Sequence, residues 1–211
     1  MQHTMKYLCE NIQGCVFGYT QSDEITLILI DYQTLTTDAW FDYEVQKMCS
    51  IVASMATLAF NRFFDNFVKS YYDIEYSMQY PEHCEPEELE RIKSYCNAIN
   101  KGAMFDARCF NIPKEEVCNL IYWRQLDAIR NSIQMVGQAY FSHKELQGKS
   151  CKDIQDMLAF GCGIEWRYYP TPCKQGTCCI KTEEGWIIDE NIPIFKGEDR
   201  NYIDKLIFIG E

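Results

Sequence analysis

The chain has 211 residues and a mass of 24.8 kDa, with 47% apolar and 24% charged residues, which fits one globular domain or one domain with an appendage and excludes a disordered tail. Twenty Lys and Arg stand against 31 Asp and Glu, a formal charge of −11, so a generic nucleic-acid binder is excluded and any nucleic-acid contact must be local. No apolar run approaches the roughly 18 to 20 residues that span a bilayer, and the first residues lack a signal-peptide pattern, so a cytoplasmic protein without membrane contact is expected.

Twelve cysteines are scattered through amphipathic segments, as at Cys9, Cys49 and Cys118, and read as reduced core thiols. Cys162, Cys173, Cys178 and Cys179 are denser, but their spacing matches no usual zinc knuckle, and apolar strand packing is expected.

In chain order, Met1, Met5, Leu8, Cys9 and Ile12 recur at helical spacing and Gly14 stops that helix. The apolar runs 15–19 and 25–30, separated by Thr20-Gln-Ser-Asp-Glu24, predict an antiparallel hairpin with a polar tip. Val45, Met48, Cys49, Val52, Met55, Ala56, Ala59 and Phe63 trace one face of a helix from Tyr43 to about Phe63, opposite Lys47, Ser50, Ser54, Thr57 and Asn61. Residues 71–101 turn acidic and polar, a connecting arm with one short helix near 87–98, and Met104 to Phe110 reads as a strand.

Pro113, followed by Glu115 and Glu116, opens a long helix to about Tyr140. Ser142-x-x-Glu145 and Ser150-x-x-Asp153 are capping boxes that straddle Gly148 and predict two short helices. Strands are expected at 164–169, 176–182 and 186–189. The fold class is therefore α+β, a ferredoxin-like β-α-β-β-α-β unit whose opening strand is missing, over residues 1–112, with a helical and small β extension over 113–211.

The hairpin tip Gln21-Ser22-Asp23-Glu24 places adjacent carboxylates at a sheet edge, where Mg²⁺ takes one or two protein oxygens and completes its shell with water and phosphate. By itself the tetrapeptide is more simply a turn. Its context is specific. Tyr19 to Glu24, Val52-Ala-Ser-Met-Ala-Thr57, Phe105-Asp-Ala-Arg108, Trp123-Arg-Gln-x-Asp127 with Asn131-Ser132, and Glu145-Leu-Gln-Gly148 together resemble the tRNA-His guanylyltransferase superfamily from about Met1 to Lys181.

The resemblance implies a polymerase-like palm with two Mg²⁺ ions, nucleotide addition to the 5′ end of tRNA, ATP and GTP as substrates, and a homo-oligomer, a tetramer by family resemblance. It makes Asp23 the metal carboxylate and, with Glu24, the catalytic pair, and it places Ser22 and Lys47 at the nucleotide. Asp106, Arg108, Arg124, Asp127, Arg130 and Asn131 become supporting or tRNA contacts. Arg124, Asp127 and Asn131 share one polar helix face, where an Arg124 to Asp127 ion pair is the simpler expectation. Asp106 and Arg108 read equally as a pair on one face of a sheet.

The family's first metal carboxylate lies in an Asp-Gly-Arg-x-Phe-like motif before the opening helix, and the chain begins after that point, so Met1 is expected to be an internal methionine of a longer protein or the start of a truncated gene. Ile129-Arg130-Asn131-Ser132 replaces the family's His-Ile-Asn-Asn motif, and Glu44 stands at a further basic position, which resembles the branch that repairs 5′ ends of various tRNAs. The alternative is an inactive tRNA-binding or assembly module. Binding of tRNA is expected to rely on patches such as His143-Lys144, Lys149, Lys152, Arg167 and Lys174, and to be weak and steeply salt-dependent.

Overall fold

The computed structural model describes residues 1–209, which form two compact units, one of 1–39 with 111–209 and one of 40–110. This division differs from one at residue 112, because the first segment joins the last through a shared sheet. No described helix is long and apolar enough to cross a membrane.

The first unit opens with α1 (Gln2–Asn11), β1 (Cys15–Gln21) and β2 (Glu24–Leu29) and continues through α5 (Lys114–Tyr140), α6 (His143–Leu146), α7 (Cys151–Cys162), α8 (Thr171–Gln175), β3 (Thr177–Thr182), β4 (Gly185–Asp189) and α9 (Asn201–Ile207); α2 (Val45–Tyr71), α3 (Ile74–Gln79) and α4 (Pro86–Lys101) belong to the second unit. The strands form one antiparallel sheet in the order β2-β1-β3-β4, so the C-terminal hairpin is no separate small sheet.

Every residue of β1 is buried because helices cover both of its faces. Phe17 and Tyr19 enter the main core with Val117, Cys118 and Ile121 of α5 and Ile203 and Ile207 of α9. On the other face α1 approaches so closely that a Cβ on Gly18 would lie 2.6 Å from the Cys9 Sγ and 2.9 Å from the Met5 side chain. Only glycine leaves room for that approach. A bulge at Val16, where Cys15 pairs with Leu29 and Phe17 with Ile28, shifts the register near the base of the hairpin.

The expected arm at 71–101 is a packed helical body. The second helix runs beyond Phe63 to Tyr71 as α2 (Val45–Tyr71), followed by α3 (Ile74–Gln79) and α4 (Pro86–Lys101). Val68, Tyr72 and Ile92 form its core with Phe64, Ile74 and Tyr95. The acidic run Glu87 and Glu88 suits the first turn of α4, where the helix dipole favours negative charge.

Residues 104–110 are not a strand. Their exposure alternates, but their hydrogen bonds go to α2: Asn61 Nδ2 donates to the Ala103 carbonyl, Ala103 N–H donates to Asn61 Oδ1, and Phe105 N–H donates to Thr57 Oγ1. Alternation signals an extended chain with two unlike faces and does not by itself supply a ladder partner. The expected strand at 164–169 is likewise absent. Gly163 caps α7 in the left-handed region, and a 3-10 turn follows at Trp166–Tyr168.

Both capping boxes are present. The Ser142 hydroxyl and N–H donate to Glu145, which holds that carboxyl below its usual range, and the Ser150 N–H and hydroxyl meet Asp153 at 2.8 Å. Beneath them Ile133 of α5 packs on Ile154 and Leu158 of α7. Cys178 and Cys179 are buried on β3, while Cys162 and Cys173 are exposed.

Gln125 ties α5 to the segment after β4. It is fully buried, donates from Nε2 to the Pro193 carbonyl at 2.8 Å and accepts the Phe195 N–H at 3.0 Å. Replacing it by Leu strands a buried donor and a buried acceptor, each costing about 1–3 kcal/mol. Gln125→Leu is therefore expected to lower the unfolding free energy by roughly 2–4 kcal/mol in urea titration; a loss below about 0.5 kcal/mol would mean the segment is held elsewhere.

Candidate functional site

The candidate site is the tip of the β1–β2 hairpin and the exposed stripe of α5, both in the first unit. Gln21 pairs with Glu24, so the loop shrinks from the five residues expected to Ser22 and Asp23 alone. Thr20 and Gln21 complete β1 and are buried, while Ser22, Asp23 and Glu24 are exposed. Ser22 takes a positive φ of 51°, a conformation that glycine or asparagine usually fills.

The Glu24 carboxylate accepts from Gln21 Nε2 at 3.0 Å and pairs with Arg124 of α5 at 3.2 Å. That pairing, between residues one hundred positions apart, replaces the expected Arg124 to Asp127 pair. Asp127 instead receives Arg130 at 2.6 Å and Asn131 Nδ2 at 3.0 Å. The structure thus brings Glu24, Arg124, Asp127, Arg130 and Asn131 into two charged clusters, with Asp23 beside the first. The Asp23 carboxylate has no hydrogen bond or ion pair to any described residue.

Tyr19, which the sequence placed in the hairpin motif without a site role, and Gln175, which it did not single out, contribute to the same region. The Tyr19 hydroxyl donates to the Gln175 carbonyl at 2.8 Å, and burial pushes its ionisation up, with Cys178 adding to the rise and Arg124 opposing it. The contact requires glycine at 176, where φ is +85° and a Cβ would sit 2.7 Å from the Thr20 carbonyl oxygen. Ser132 joins α5 to the adjoining turn, receiving Trp166 Nε1 at 3.1 Å. No local pattern announces these contacts, which cross between distant elements.

Lys47, Asp106 and Arg108 belong to the second unit. Lys47 lies in the first turn of α2 with its ammonium 4.5 Å from the Phe41 ring centroid. Asp106 and Arg108 do pair, at 3.6 Å, but along an extended segment and not on a sheet face, with side chains 86% and 87% exposed.

Among the described residues no three His, Cys, Asp or Glu side chains converge as a metal cage. The tip offers one free carboxylate and a second held by a guanidinium. Such a donor set suits a hard divalent cation that keeps several waters and shares phosphate oxygens, and it is unlike a closed zinc site.

The chain matches the family model described as tRNAHis guanylyltransferase over residues 1–113. It is 38% identical to a bacterial tRNA(His) guanylyltransferase-like protein solved in complex with ATP, with a TM-score of 0.78 over 99% of this chain and 78% of that one. A bacterial tRNA(His) guanylyltransferase-like protein solved with GTP is 33% identical, with a TM-score of 0.69 over 98% of this chain and 75% of that one. An uncharacterised protein of Acanthamoeba polyphaga mimivirus is 30% identical over 179 residues, 80% of this chain and 56% of the relative, so the chain spans little more than half of that curated protein.

The Glu24–Arg124 pair is half-exposed on both sides, at 52% and 44%, and should be weak. A double-mutant cycle with Glu24→Gln and Arg124→Gln is expected to give a coupling of about 0.2–1 kcal/mol that shrinks as salt rises; a coupling above roughly 2 kcal/mol would show a structural bond and not an exchangeable one.

Proposed function

Because the chain belongs to the tRNAHis guanylyltransferase family, we propose that it is a Mg²⁺-dependent nucleotidyltransferase that adds GTP-derived nucleotides to the 5′ end of tRNA. The nucleotides bound by its solved relatives support ATP and GTP as the substrates, with ATP activating a 5′-monophosphate and the GTP 3′-hydroxyl attacking the activated end. The replaced histidine motif at Ile129 to Ser132 favours 5′-end repair of several tRNAs over a single addition to one. Working partners would be tRNA, the two triphosphates and further copies of the chain.

The observation that carries this reading is the unpartnered Asp23 on a two-residue turn, next to the exchangeable Glu24–Arg124 pair. Asp23 would hold Mg²⁺ together with triphosphate oxygens, and the bound ion would neutralise phosphate charge and stabilise departing pyrophosphate. Arg124 is suited to trade Glu24 for a phosphate. The surface pair it gives up is worth under about 1 kcal/mol, whereas a charge-assisted contact to phosphate is worth about 1.5–3 kcal/mol. That trade frees Glu24 as a second carboxylate beside Asp23. Ser22 presents its hydroxyl at the same turn, and Asp127 fixes Arg130 as a further positive group. Lys47 is proposed to meet phosphate charge from its own unit.

A second reading, a tRNA-binding or assembly module without catalysis, draws on the Arg124 that occupies Glu24 and on the lack of a three-ligand cluster among the described residues. Labelled GTP incubated with a 5′-truncated tRNA separates the two. The first reading expects incorporation, reduced by about 100-fold or more in Asp23→Ala with tRNA binding retained. Incorporation unchanged in Asp23→Ala would overturn the assignment of Asp23, and tRNA binding without incorporation would establish the module.

A further inference from the structure

Beyond this function, we propose that Cys49 and Cys109 form an oxidisable thiol pair that closes to a disulfide and latches the 103–110 segment onto α2. The two sulfurs lie 3.7 Å apart although the residues are 60 positions apart in sequence, and both belong to the second unit. Cys49 sits in the second turn of α2, and Cys109 is near the end of the extended segment, with its thiol directed also toward the Val45 carbonyl at 3.9 Å. Thiols in van der Waals contact reach bonding distance by small side-chain rotations.

Access separates this pair from the other sulfurs that lie close together. Cys9, Cys15 and Cys179 approach one another, but all three are buried, at 2%, 8% and 0% exposure, where no oxidant reaches them. Cys49 and Cys109 are both partly exposed. The chemistry needs a two-electron oxidant of the peroxide class. One thiolate attacks a peroxide oxygen and becomes a sulfenic acid as the first water departs; the second sulfur displaces the sulfenic oxygen, forming the S–S bond and releasing the second water. Two thiol hydrogens and two electrons leave the protein, and one hydrogen peroxide becomes two waters.

The latch has a defined mechanical effect. The segment it closes on is anchored at its start by the Ala103 and Phe105 amides, which donate to Asn61 and Thr57, and carries Asp106 and Arg108 between that anchor and Cys109. A disulfide fixes the far end as well, so Asp106 and Arg108 become tethered on both sides. The same bond constrains the first turns of α2, two residues from Lys47.

Hydrogen peroxide treatment of the full chain, followed by trypsin digestion and mass spectrometry without reductant, tests the proposal. Cleavage after Lys47, Arg62, Arg108 and Lys114 leaves peptides 48–62 and 109–114, each with a single cysteine. The expected product joins those two peptides at about 2 Da below their summed mass, and it disappears with dithiothreitol and in Cys109→Ser. In the oxidised protein the Ala103 and Phe105 amides are expected to exchange with deuterium several-fold more slowly. Oxidation that appears at Cys162 and Cys173 while peptides 48–62 and 109–114 remain separate and reduced would overturn it, as would joining of either peptide to a different cysteine.

Discussion

The burial of β1 on both faces is the constraint on which the first unit depends. A strand covered by α1 on one side and by α5 and α9 on the other has no free face along which to shift. A slip of one residue would exchange Gly18 with a larger side chain against Met5 and Cys9, while moving Phe17 and Tyr19 out of the core. The position of the Ser22-Asp23 turn follows from that fixed register. The hairpin tip is therefore an exposed acidic turn carried on a rigid stem, a suitable arrangement for holding a charged group at a set distance from α5.

The stem and the charges it carries differ in strength. The packing of β1 and the buried hydrogen bonds of Gln125 and Tyr19 hold the sheet, α5 and α8 together. The ion pairs at the tip are solvent-facing and individually weak, so they set local charge without determining the fold. Under the proposed function, this separation would let Glu24 and Arg124 exchange partners when an anion or cation arrives without disturbing the elements beneath. A net charge of −11 is also compatible with the proposed function, because Arg124 stands beside the tip with Arg130 on the same helix, and positive charge need not dominate the surface.

Much of the architecture was legible in the sequence where periodicity was long or turn chemistry was explicit. The opening helix, the first hairpin, the helix beginning after Pro113 and the two capping boxes follow from such signals. In the stretch 71–101 the helix near 87–98 was legible, but α3 and the packing of the arm were not, because Val68 of α2, Tyr72 just after it and Ile92 of α4 form a core only once those segments meet. The segment 104–110 has the alternation of a strand but takes its hydrogen bonds from Thr57 and Asn61 side chains, which no periodicity rule includes. At the candidate site the residue types were visible, and their partners were not. Helical spacing favours Arg124 with Asp127, yet the fold delivers Glu24 to Arg124 from a distant hairpin.

The central claim is that Asp23 holds a divalent cation against a nucleoside triphosphate. Its most direct test is a crystal grown or soaked with GTP and Mn²⁺ and measured for anomalous scattering. The account predicts a Mn²⁺ peak within about 2.0–2.3 Å of an Asp23 carboxylate oxygen, bridged to triphosphate oxygens, with Arg124 turned from Glu24 toward phosphate. A well-ordered triphosphate bound elsewhere, with no metal at Asp23 and the Glu24–Arg124 pair intact, would contradict it.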